Sequence, residues 1–295
     1  GISVTSLLGW SRCIDEMPRK DMRAVGSAKE KYVPGKKMIF LDFDGTLADW
    51  GVVPPGHVQA LKEVQAAGHL VFLCTGRPLS GVSEDVRALG FDGLVCAAGG
   101  YVLIDGKVLA DRRFAEDVAH RAVNLLDAYD GTYILESPNH VYVRTAAEER
   151  LRQLFRTHSD MLDRLRVRDD LHGVSFSKIT VIHSRARIVD LAREIGDAVQ
   201  ALPSSIEDRG ESSGELQPSD INKAVGIDVV VEYLGANVAD TVACGDGLND
   251  VEMLAHAGVG VAVGSDQRVL DVADMAVPGP QQEGLRIAFS ELGLI

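Results

Sequence analysis

The 295-residue sequence lacks an excess of positive charge and any long apolar run. Its 30 Lys and Arg against 43 Asp and Glu give a net charge of −13, which disfavours binding to nucleic-acid phosphates or to an anionic membrane face. No stretch approaches the roughly 18 uninterrupted apolar residues of a membrane helix, and residues 3–8 are too few for the core of a signal peptide. We therefore expect neither a nucleic-acid nor a membrane partner, and no targeting signal.

Cysteine is scarce, and the four cysteines include no CxxC pair. Three of them, Cys74, Cys96 and Cys244, lie in apolar runs typical of buried strands, so we interpret them as reduced structural thiols. This usage fits a reducing, cytoplasmic location. Internal repeats and low-complexity tracts are also absent, and the length suggests roughly two domains.

The acidic excess lies in the flanks of the chain rather than in its middle. Residues 108–204 carry 14 basic and 15 acidic groups, whereas residues 38–107 and 205–295 together carry 8 and 24. This asymmetry favours one acidic, metal-binding body made from both flanks, with a nearly neutral, Arg-rich middle that meets an anion.

The flanks also share a repeating pattern of short apolar runs, Gly-containing loops and helix-period segments, which predicts a parallel α/β sheet. Residues 108–204 instead mix three helical stretches (117–128, 148–165 and 188–201) with three strand-like ones (133–136, 141–144 and 178–183). We therefore predict an α/β fold in which a Rossmann-like parallel sheet forms the core and an α+β cap domain is inserted. The predicted division is an N-terminal extension over 1–35, a core over 36–107 and 205–295, and the cap over 108–204.

Chemically suggestive side chains follow the predicted core strands. Asp42 and Asp44 come after the most apolar run, and Asp246 and Asp250 come after the strand at 241–244. Ligands bind outside the carboxyl ends of the strands in an open parallel sheet. Two neighbouring carboxylates there suit a nucleophile and a proton-transfer group, with a hard cation such as Mg²⁺ between them.

Two weaker signals accompany these acids. In Thr75-Gly76-Arg77, which follows the second predicted strand, a hydroxyl and unblocked backbone N–H groups can hold phosphate oxygens. Lys223 begins a predicted helix, where an isolated lysine is normally a solvated side chain. The case for each depends on its occurrence together with the carboxylates.

In this order and spacing, the segments FLDFDGTL, CTGR, Lys223 and CGDGLND resemble the four motifs of the haloacid-dehalogenase-like phosphohydrolase superfamily. The insertion between the second and third motifs, the GDxxND form and the later GVGVAVGS run are similar to the Cof-type sugar-phosphate phosphatases of subclass IIB. The motifs span about residues 38–290, while the cap matches only by position, length and alternation.

The resemblance implies that Asp42 is a nucleophile that forms an aspartyl-phosphate, and that Asp44 is the acid and base. It implies that Thr75 and Lys223 hold the transferring phosphoryl group, and that Asp246 joins Asp42 and the Asp44 backbone carbonyl in binding Mg²⁺. The remaining implied residues contact the phosphate or support the metal and Lys223: Gly76, Asn249, Asp250 and Arg77. The expected partner is a small phosphorylated metabolite.

We accordingly expect a Mg²⁺-dependent phosphatase that acts on such a metabolite, a sugar phosphate being the favoured class. The alternatives are a phosphomutase of the same superfamily and a non-catalytic sensor of phosphorylated metabolites. The sequence departs from the family pattern at Ala97-Ala98-Gly99-Gly100, where relatives often have Asn-Gly, and at Ser265, where they often have Asn. The specific substrate, the cap residues that select it, the oligomeric state and the role of residues 1–35 stay open.

Overall fold

The computed structural model describes residues 26–156, 159–204 and 210–295. Residues 1–25 of the predicted N-terminal extension, Cys13 among them, lie outside the described residues. Fourteen strands lie in the described part of the chain: β1 Met38–Leu41, β2 Leu70–Cys74, β3 Gly93–Cys96, β4 Tyr101–Ile104, β5 Lys107–Asp111, β6 Thr132–Glu136, β7 Val141–Arg144, β8 Leu165–Arg168, β9 Lys178–His183, β10 Val199–Pro203, β11 Gly214–Pro218, β12 Thr241–Gly245, β13 Val259–Val263 and β14 Met275–Val277.

Eleven α-helices connect or flank these strands within the same described residues: α1 Ala28–Lys31, α2 Pro55–Ala66, α3 Glu84–Arg87, α4 Glu116–Ala128, α5 Glu148–Leu154, α6 Ser159–Asp163, α7 Ile188–Ile195, α8 Lys223–Leu234, α9 Val251–His256, α10 Gln267–Leu270 and α11 Gly284–Glu291. No helix in the described ranges is long and apolar enough to cross a membrane.

The core is an eight-stranded sheet in the order β14-β13-β12-β1-β2-β3-β4-β5. The first six of these strands run parallel, and the β4–β5 hairpin adds two antiparallel strands at one edge. Every residue of β1 and β2 is buried, because apolar side chains cover both faces of the sheet. The predicted α/β fold with a parallel core sheet is confirmed.

The second sheet has six strands in the order β10-β11-β9-β6-β7-β8. One of its faces packs on α4 and α7 through Leu135, Ile179, Val181 and Leu191. The opposite face carries a smaller apolar cluster that includes Leu151 of α5. Hydrogen bonds join this unit to the core, among them those from the Lys178 Nζ to the Gly76 carbonyl (2.6 Å) and from the Ser80 Oγ to the Ser137 carbonyl (2.9 Å).

The strand pairings differ from the predicted domain boundaries at both ends of the insertion. Strand β5 pairs with β4 in the core sheet, although we placed the start of the cap at residue 108. Strand β11 pairs with β9 and β10 in the second sheet, although we placed the end of the cap at residue 204. We therefore infer that the inserted unit begins after β5 and ends after β11.

Two long helices predicted in the cap were also wrong in extent. The stretch 188–201 is helical only to Ile195, because Gly196 ends α7 and the chain then forms β10. The stretch 148–165 contains α5 and α6, and strand β8 begins at its last residue. The predicted helices extended into residues that form the short strands β8 and β10, and β11 was not predicted. Cross-strand pairing overrides local propensity in such half-exposed segments.

Candidate active site

The candidate site lies where β1 and β12 end side by side. The two strands pair in parallel, and the Asp42 backbone N–H donates to the Cys244 carbonyl (3.0 Å) just past the end of β1. This register brings Asp42 next to the loop that holds Asp246 and Asp250. Asp42 is only 5% exposed, so its carboxyl group sits in a largely water-free environment.

Lys223 bridges the carboxylates of Asp42 and Asp250. Its Nζ donates to the Asp42 Oδ1 (2.6 Å) and to the Asp250 Oδ1 (2.6 Å), and the lysine has no exposed surface. Burial opposes the charge of Lys223, but Asp250 and Asp42 outweigh it and raise the lysine pKa above its ordinary value. The lysine is therefore a fixed positive charge inside the site rather than a solvated side chain.

Asp250 orders the loop that follows β12. Its Oδ2 accepts the backbone N–H groups of Asp246 (2.9 Å) and Gly247 (3.1 Å), while its Oδ1 accepts Lys223. Burial, followed by the neighbouring Asp42, raises the Asp250 pKa to about 6. Both Asp250 oxygens accept hydrogen bonds, so the residue positions Lys223 and the Asp246 backbone.

Asp246 faces the loop that follows β1. Its Oδ1 accepts the Thr46 hydroxyl (3.1 Å), and Thr46 is a residue that the sequence reasoning did not single out. Gly45 lies against the same carboxylate with φ +84°, and a Cβ built there would stand 2.1 Å from the Asp246 Oδ2. The glycine thus provides both a left-handed turn and the space that Asp246 occupies.

We expect Gly45→Ala to reduce turnover by more than about 100-fold, because the new methyl group displaces the Asp246 carboxylate. Gly51→Ala is the matched control. Gly51 has nearly the same φ, +81°, but no atom of the described residues lies within 4 Å of the place its new methyl group would take. Both variants carry the backbone strain of about 1 kcal/mol, and only Gly45→Ala disturbs the site. Equal activities of the two purified variants would contradict this assignment.

Burial raises the pKa values of two carboxyl groups in the site. Burial raises the Asp42 pKa from 3.8 to about 7, Lys223 opposes that rise, and Asp246 adds to it. Burial also raises the Asp246 pKa above its ordinary value. The Lys223 ammonium alone thus does not offset the burial of these carboxyl groups. A second positive charge beside them would favour the form in which both are ionised.

Asp42, Asp246 and Asp250 form a carboxylate cluster in which one oxygen of each lies within 4.8 Å of the others. Hard carboxylate oxygens of this kind are the ligands that Mg²⁺ prefers. The set we predicted consists of Asp42, Asp246 and the Asp44 backbone carbonyl, and its two carboxylates lie in this cluster. Because Lys223 and two N–H groups already occupy Asp250, Asp42 and Asp246 are the carboxylates best suited to hold a cation.

The Asp44 side chain lies apart from this cluster, at the rim of the site. Arg77 binds it through two hydrogen bonds, from Nε to Oδ2 (2.8 Å) and from Nη2 to Oδ1 (2.7 Å), and the Asp44 side chain is 57% exposed. The Arg77 guanidinium also stacks over the Phe43 ring at 4.8 Å and donates to the Gly81 carbonyl (3.2 Å). These paired hydrogen bonds fix the orientation of the Asp44 carboxyl group.

The turn Thr75–Arg77 follows β2, as predicted, and closes on itself. The Thr75 Oγ1 accepts the Arg77 backbone N–H (3.1 Å), which leaves the hydroxyl proton available for a ligand. Asn249 approaches the same turn, since its Nδ2 lies 3.2 Å from the position of a Cβ at Gly76. The structure thus brings the predicted phosphate-binding residues Thr75, Gly76 and Asn249 to one edge of the core sheet.

The departure from the family pattern at Ala97-Ala98 has a structural role. Both alanines adopt left-handed backbone angles, φ +50° and +56°, and their N–H groups donate to the Arg77 and Thr75 carbonyls. Gly99 follows, where a Cβ would lie 2.0 Å from the Asn222 carbonyl at the start of α8. This loop therefore braces both the Thr75–Arg77 turn and the helix that presents Lys223, at a cost of local strain.

Among the basic residues of the inserted unit, Lys178 lies beside the site, whereas Arg144 and His140 contact other residues of the unit. Lys178 reaches the Gly76 carbonyl, as described above. Arg144 pairs with Asp127 inside the cap, and His140 packs edge-on against Tyr142. The cap residues Glu136 and Glu215, which contact Lys178, were missed, because nothing in their local sequence distinguishes them from other strand residues.

Comparison with known proteins identifies the family. Residues 39–288 match the model of the haloacid dehalogenase-like hydrolases, which covers most of the chain. The chain therefore belongs to the haloacid dehalogenase-like hydrolase family, and the predicted class, a phosphatase enzyme of this family, is confirmed.

Two relatives that align over nearly their whole length support this assignment. A Bacillus subtilis protein provisionally named the phosphatase YkrA is 27% identical over 272 residues, covering 88% of this chain and 98% of the relative. A phosphoglycolate phosphatase of Archaeoglobus fulgidus is 26% identical over 262 residues, covering 88% and 98%. Two other relatives are longer proteins, of which the match covers 56% and 48%.

The fold has solved counterparts. A structure described as the subclass IIB sugar phosphatase BT4131 aligns with a TM-score of 0.74 at 21% identity, covering 88% of this chain and all of that one. At this identity the likeness concerns the fold alone.

Proposed function

We propose that this enzyme hydrolyses a small phosphorylated metabolite through an aspartyl-phosphate on Asp42, with Mg²⁺ as cofactor. The observation that carries the proposal is the geometry at the ends of β1 and β12. There a buried carboxylate, a buried lysine and a second carboxylate converge beside a turn that offers a hydroxyl. Phosphoryl transfer depends on positioning and on compensation of negative charge, and these groups provide both.

In the first half-reaction an Asp42 oxygen attacks the phosphorus atom, and the bond from phosphorus to the leaving oxygen breaks. The leaving oxygen takes a proton from Asp44 and departs as an alcohol. Lys223, held by Asp42 and Asp250, places its positive charge next to the attacking carboxylate and the incoming phosphoryl group. The Thr75 hydroxyl and the Asn249 amide donate to phosphoryl oxygens.

In the second half-reaction Asp44, now ionised, takes a proton from water. The resulting hydroxide attacks the phosphorus atom of the aspartyl-phosphate, releasing inorganic phosphate and restoring Asp42. The pairing with Arg77 holds the Asp44 carboxyl group at the rim of the site. For the first half-reaction the Asp44 carboxyl group must turn from Arg77 towards the leaving oxygen.

The residues present fit a magnesium ion. Asp42 and Asp246 would hold it, since their oxygens lie within 4.8 Å of one another. Burial raises the pKa of both carboxyl groups, and a bound cation would favour their ionised forms. When bound, the ion supplies charge compensation to the phosphoryl oxygens as the transition state forms. The Thr46 hydroxyl and the turn at Gly45 keep the Asp246 carboxylate in place for this role.

The test is phosphate release from a panel of phosphorylated sugars, nucleotides and cofactors. Chelation by EDTA should stop turnover and added Mg²⁺ should restore it, whereas metal-independent release would contradict the proposed site. Release that requires the metal supports the hydrolase. A requirement for a bisphosphorylated activator without free phosphate would identify the phosphomutase, and metal-dependent binding without turnover would identify the sensor.

The raised Asp42 pKa adds a pH dependence to this test. Because the folded, metal-free protein holds a proton on Asp42 up to about pH 7 and the unfolded chain only to 3.8, stability falls as pH rises between these values. Mg²⁺ needs the ionised carboxylate, so its affinity, measured by thermal shift, should be about tenfold weaker at pH 6 than at pH 8. An affinity independent of pH in this range would contradict the involvement of Asp42.

A further inference from the structure

The cap presents a polar cluster to the site. Glu136 pairs in register with Lys178, and Glu215 pairs with Thr180, so these side chains share one face of the six-stranded sheet with Gln217. This face meets the phosphate-binding turn, because the Lys178 Nζ donates to the Gly76 carbonyl. We call these residues, Glu136, Lys178, Thr180, Glu215 and Gln217, the acceptor cluster.

The positive charge of the acceptor cluster is already neutralised. Lys178 is buried, and besides the Gly76 carbonyl it contacts the Glu215 Oε1 (2.8 Å) and the Glu136 Oε2 (3.4 Å). Burial opposes its charge, but Glu136 and Glu215 outweigh that effect and raise the lysine pKa. Two carboxyl groups thus surround one ammonium, which donates hydrogen bonds to the Gly76 carbonyl and the Glu215 carboxylate.

Two buried acceptors in the cluster accept no hydrogen bond from the residues that the structure describes. One is the Glu136 Oε2, whose contact with Lys178 is ionic and lacks hydrogen-bond geometry, and the other is the Gln217 Oε1. Glu136 is 4% exposed and Gln217 is 3% exposed. Their partner atoms are fixed, since the Glu136 Oε1 accepts Thr180 (2.5 Å) and the Gln217 Nε2 donates to the Ile221 carbonyl (3.1 Å). Buried acceptors of this kind require donors.

Arg77 at the rim of the site and the two arginines that follow β5 are also paired. Arg77 binds Asp44, Arg112 binds Asp220, and Arg113 binds Asp111. A second anionic group on a substrate would therefore meet carboxylates and committed cations on this side of the site. A group that carries hydroxyl or ammonium donors would instead satisfy the two free acceptors.

We propose that the acceptor cluster is the leaving-group site of this enzyme and that it selects phosphate monoesters of polyols or amino polyols over esters that carry a second anionic group. The proposal rests on the proposed phosphatase function and specifies its substrate class. Hydroxyl donors of the leaving group would bind the Glu136 and Gln217 oxygens. A carboxylate or second phosphate would be repelled by Glu136 and Glu215.

The first experiment compares matched six-carbon substrates with the wild-type enzyme and Mg²⁺. Glucose 6-phosphate and glucosamine 6-phosphate represent the favoured class, and 6-phosphogluconate and fructose 1,6-bisphosphate carry the second anion. We expect kcat/KM at least about tenfold higher for the first pair. Para-nitrophenyl phosphate, which lacks polyol donors and a second anion, reports the phosphatase function itself.

The second experiment uses Glu215→Gln, which removes one charge at a partly exposed position, and Glu136→Gln at the buried one. Either variant should raise kcat/KM for 6-phosphogluconate relative to glucose 6-phosphate by about tenfold, mainly through KM. Glu149→Gln, on the exposed surface of α5, is the matched control and should leave this ratio unchanged.

The outcomes separate the two proposals. If para-nitrophenyl phosphate is hydrolysed but wild-type enzyme prefers, or does not distinguish, the doubly anionic substrates, the acceptor cluster proposal fails and the phosphatase stands. A ratio that changes equally in Glu215→Gln and Glu149→Gln also overturns it. If no compound releases phosphate, both proposals fail. The wild-type comparison decides the matter even where Glu136→Gln does not fold.

Discussion

Asp42→Asn is expected to lower phosphate release by more than about 10³-fold, because the variant removes the attacking oxygen. The folded structure should persist. Asn is nearly isosteric with Asp, and burial already raises the pKa of the Asp42 carboxyl to about 7, so the uncharged side chain suits this environment. Lys223 also keeps Asp250 as a partner.

The measurement is single-turnover phosphate release beside a thermal unfolding curve, with and without Mg²⁺. Asp85→Asn, an exposed aspartate on α3, is the control for removal of one carboxylate and should retain activity. Activity of Asp42→Asn within a few-fold of wild type would exclude Asp42 as the nucleophile. Loss of activity together with loss of the folded structure would be explained by misfolding, and the unfolding curve separates this case.

Lys223→Met is expected to cost about 3–5 kcal/mol of folding free energy in addition to activity, because it leaves two buried carboxylates without their cation. Lys223 is fully buried and contacts both Asp42 and Asp250. The effect belongs to charge rather than to packing, since the methionine side chain has a similar shape. Denaturant unfolding in EDTA measures it without compensation from a metal ion.

A double variant separates charge from shape. Lys223→Met combined with Asp250→Asn removes one of the unpaired carboxylates and should recover part of the lost stability, while activity stays absent. Lys62→Met, on the exposed surface of α2, controls for the loss of a lysine and should change stability by less than about 0.5 kcal/mol. Lys223→Met with wild-type stability would show that the buried pair contributes nothing to the fold.

The core sheet could be predicted from the sequence because its signals are local and repeated. Continuous apolar runs of strand length, each followed by a helix-period segment, require a sheet that is buried on both faces. The catalytic candidates were found for a related reason. Asp42, Asp246 and Lys223 stand at the ends of such elements, where a parallel sheet brings its loops together.

The cap strands β8, β10 and β11 could not be predicted in this way. Their residues are partly exposed, and their periodicity is too short to distinguish a strand from an adjoining helix. Strand β8 pairs with β7, and β11 pairs with both β9 and β10, so partners outside each segment decide its structure. The boundaries of the inserted unit that we infer from strand pairing therefore differ from the predicted ones.

By itself, the sequence determined the fold class and the family and indicated candidate site residues at the ends of the core strands, because motif order and apolar patterning are carried by neighbouring residues. Only the tertiary structure decided how those residues are used. It paired Asp44 with Arg77 and both Asp250 oxygens with Lys223 and the Asp246 loop. It also turned Glu136 and Gln217 of the cap towards the core, since contacts between residues distant along the chain depend on strand register and burial.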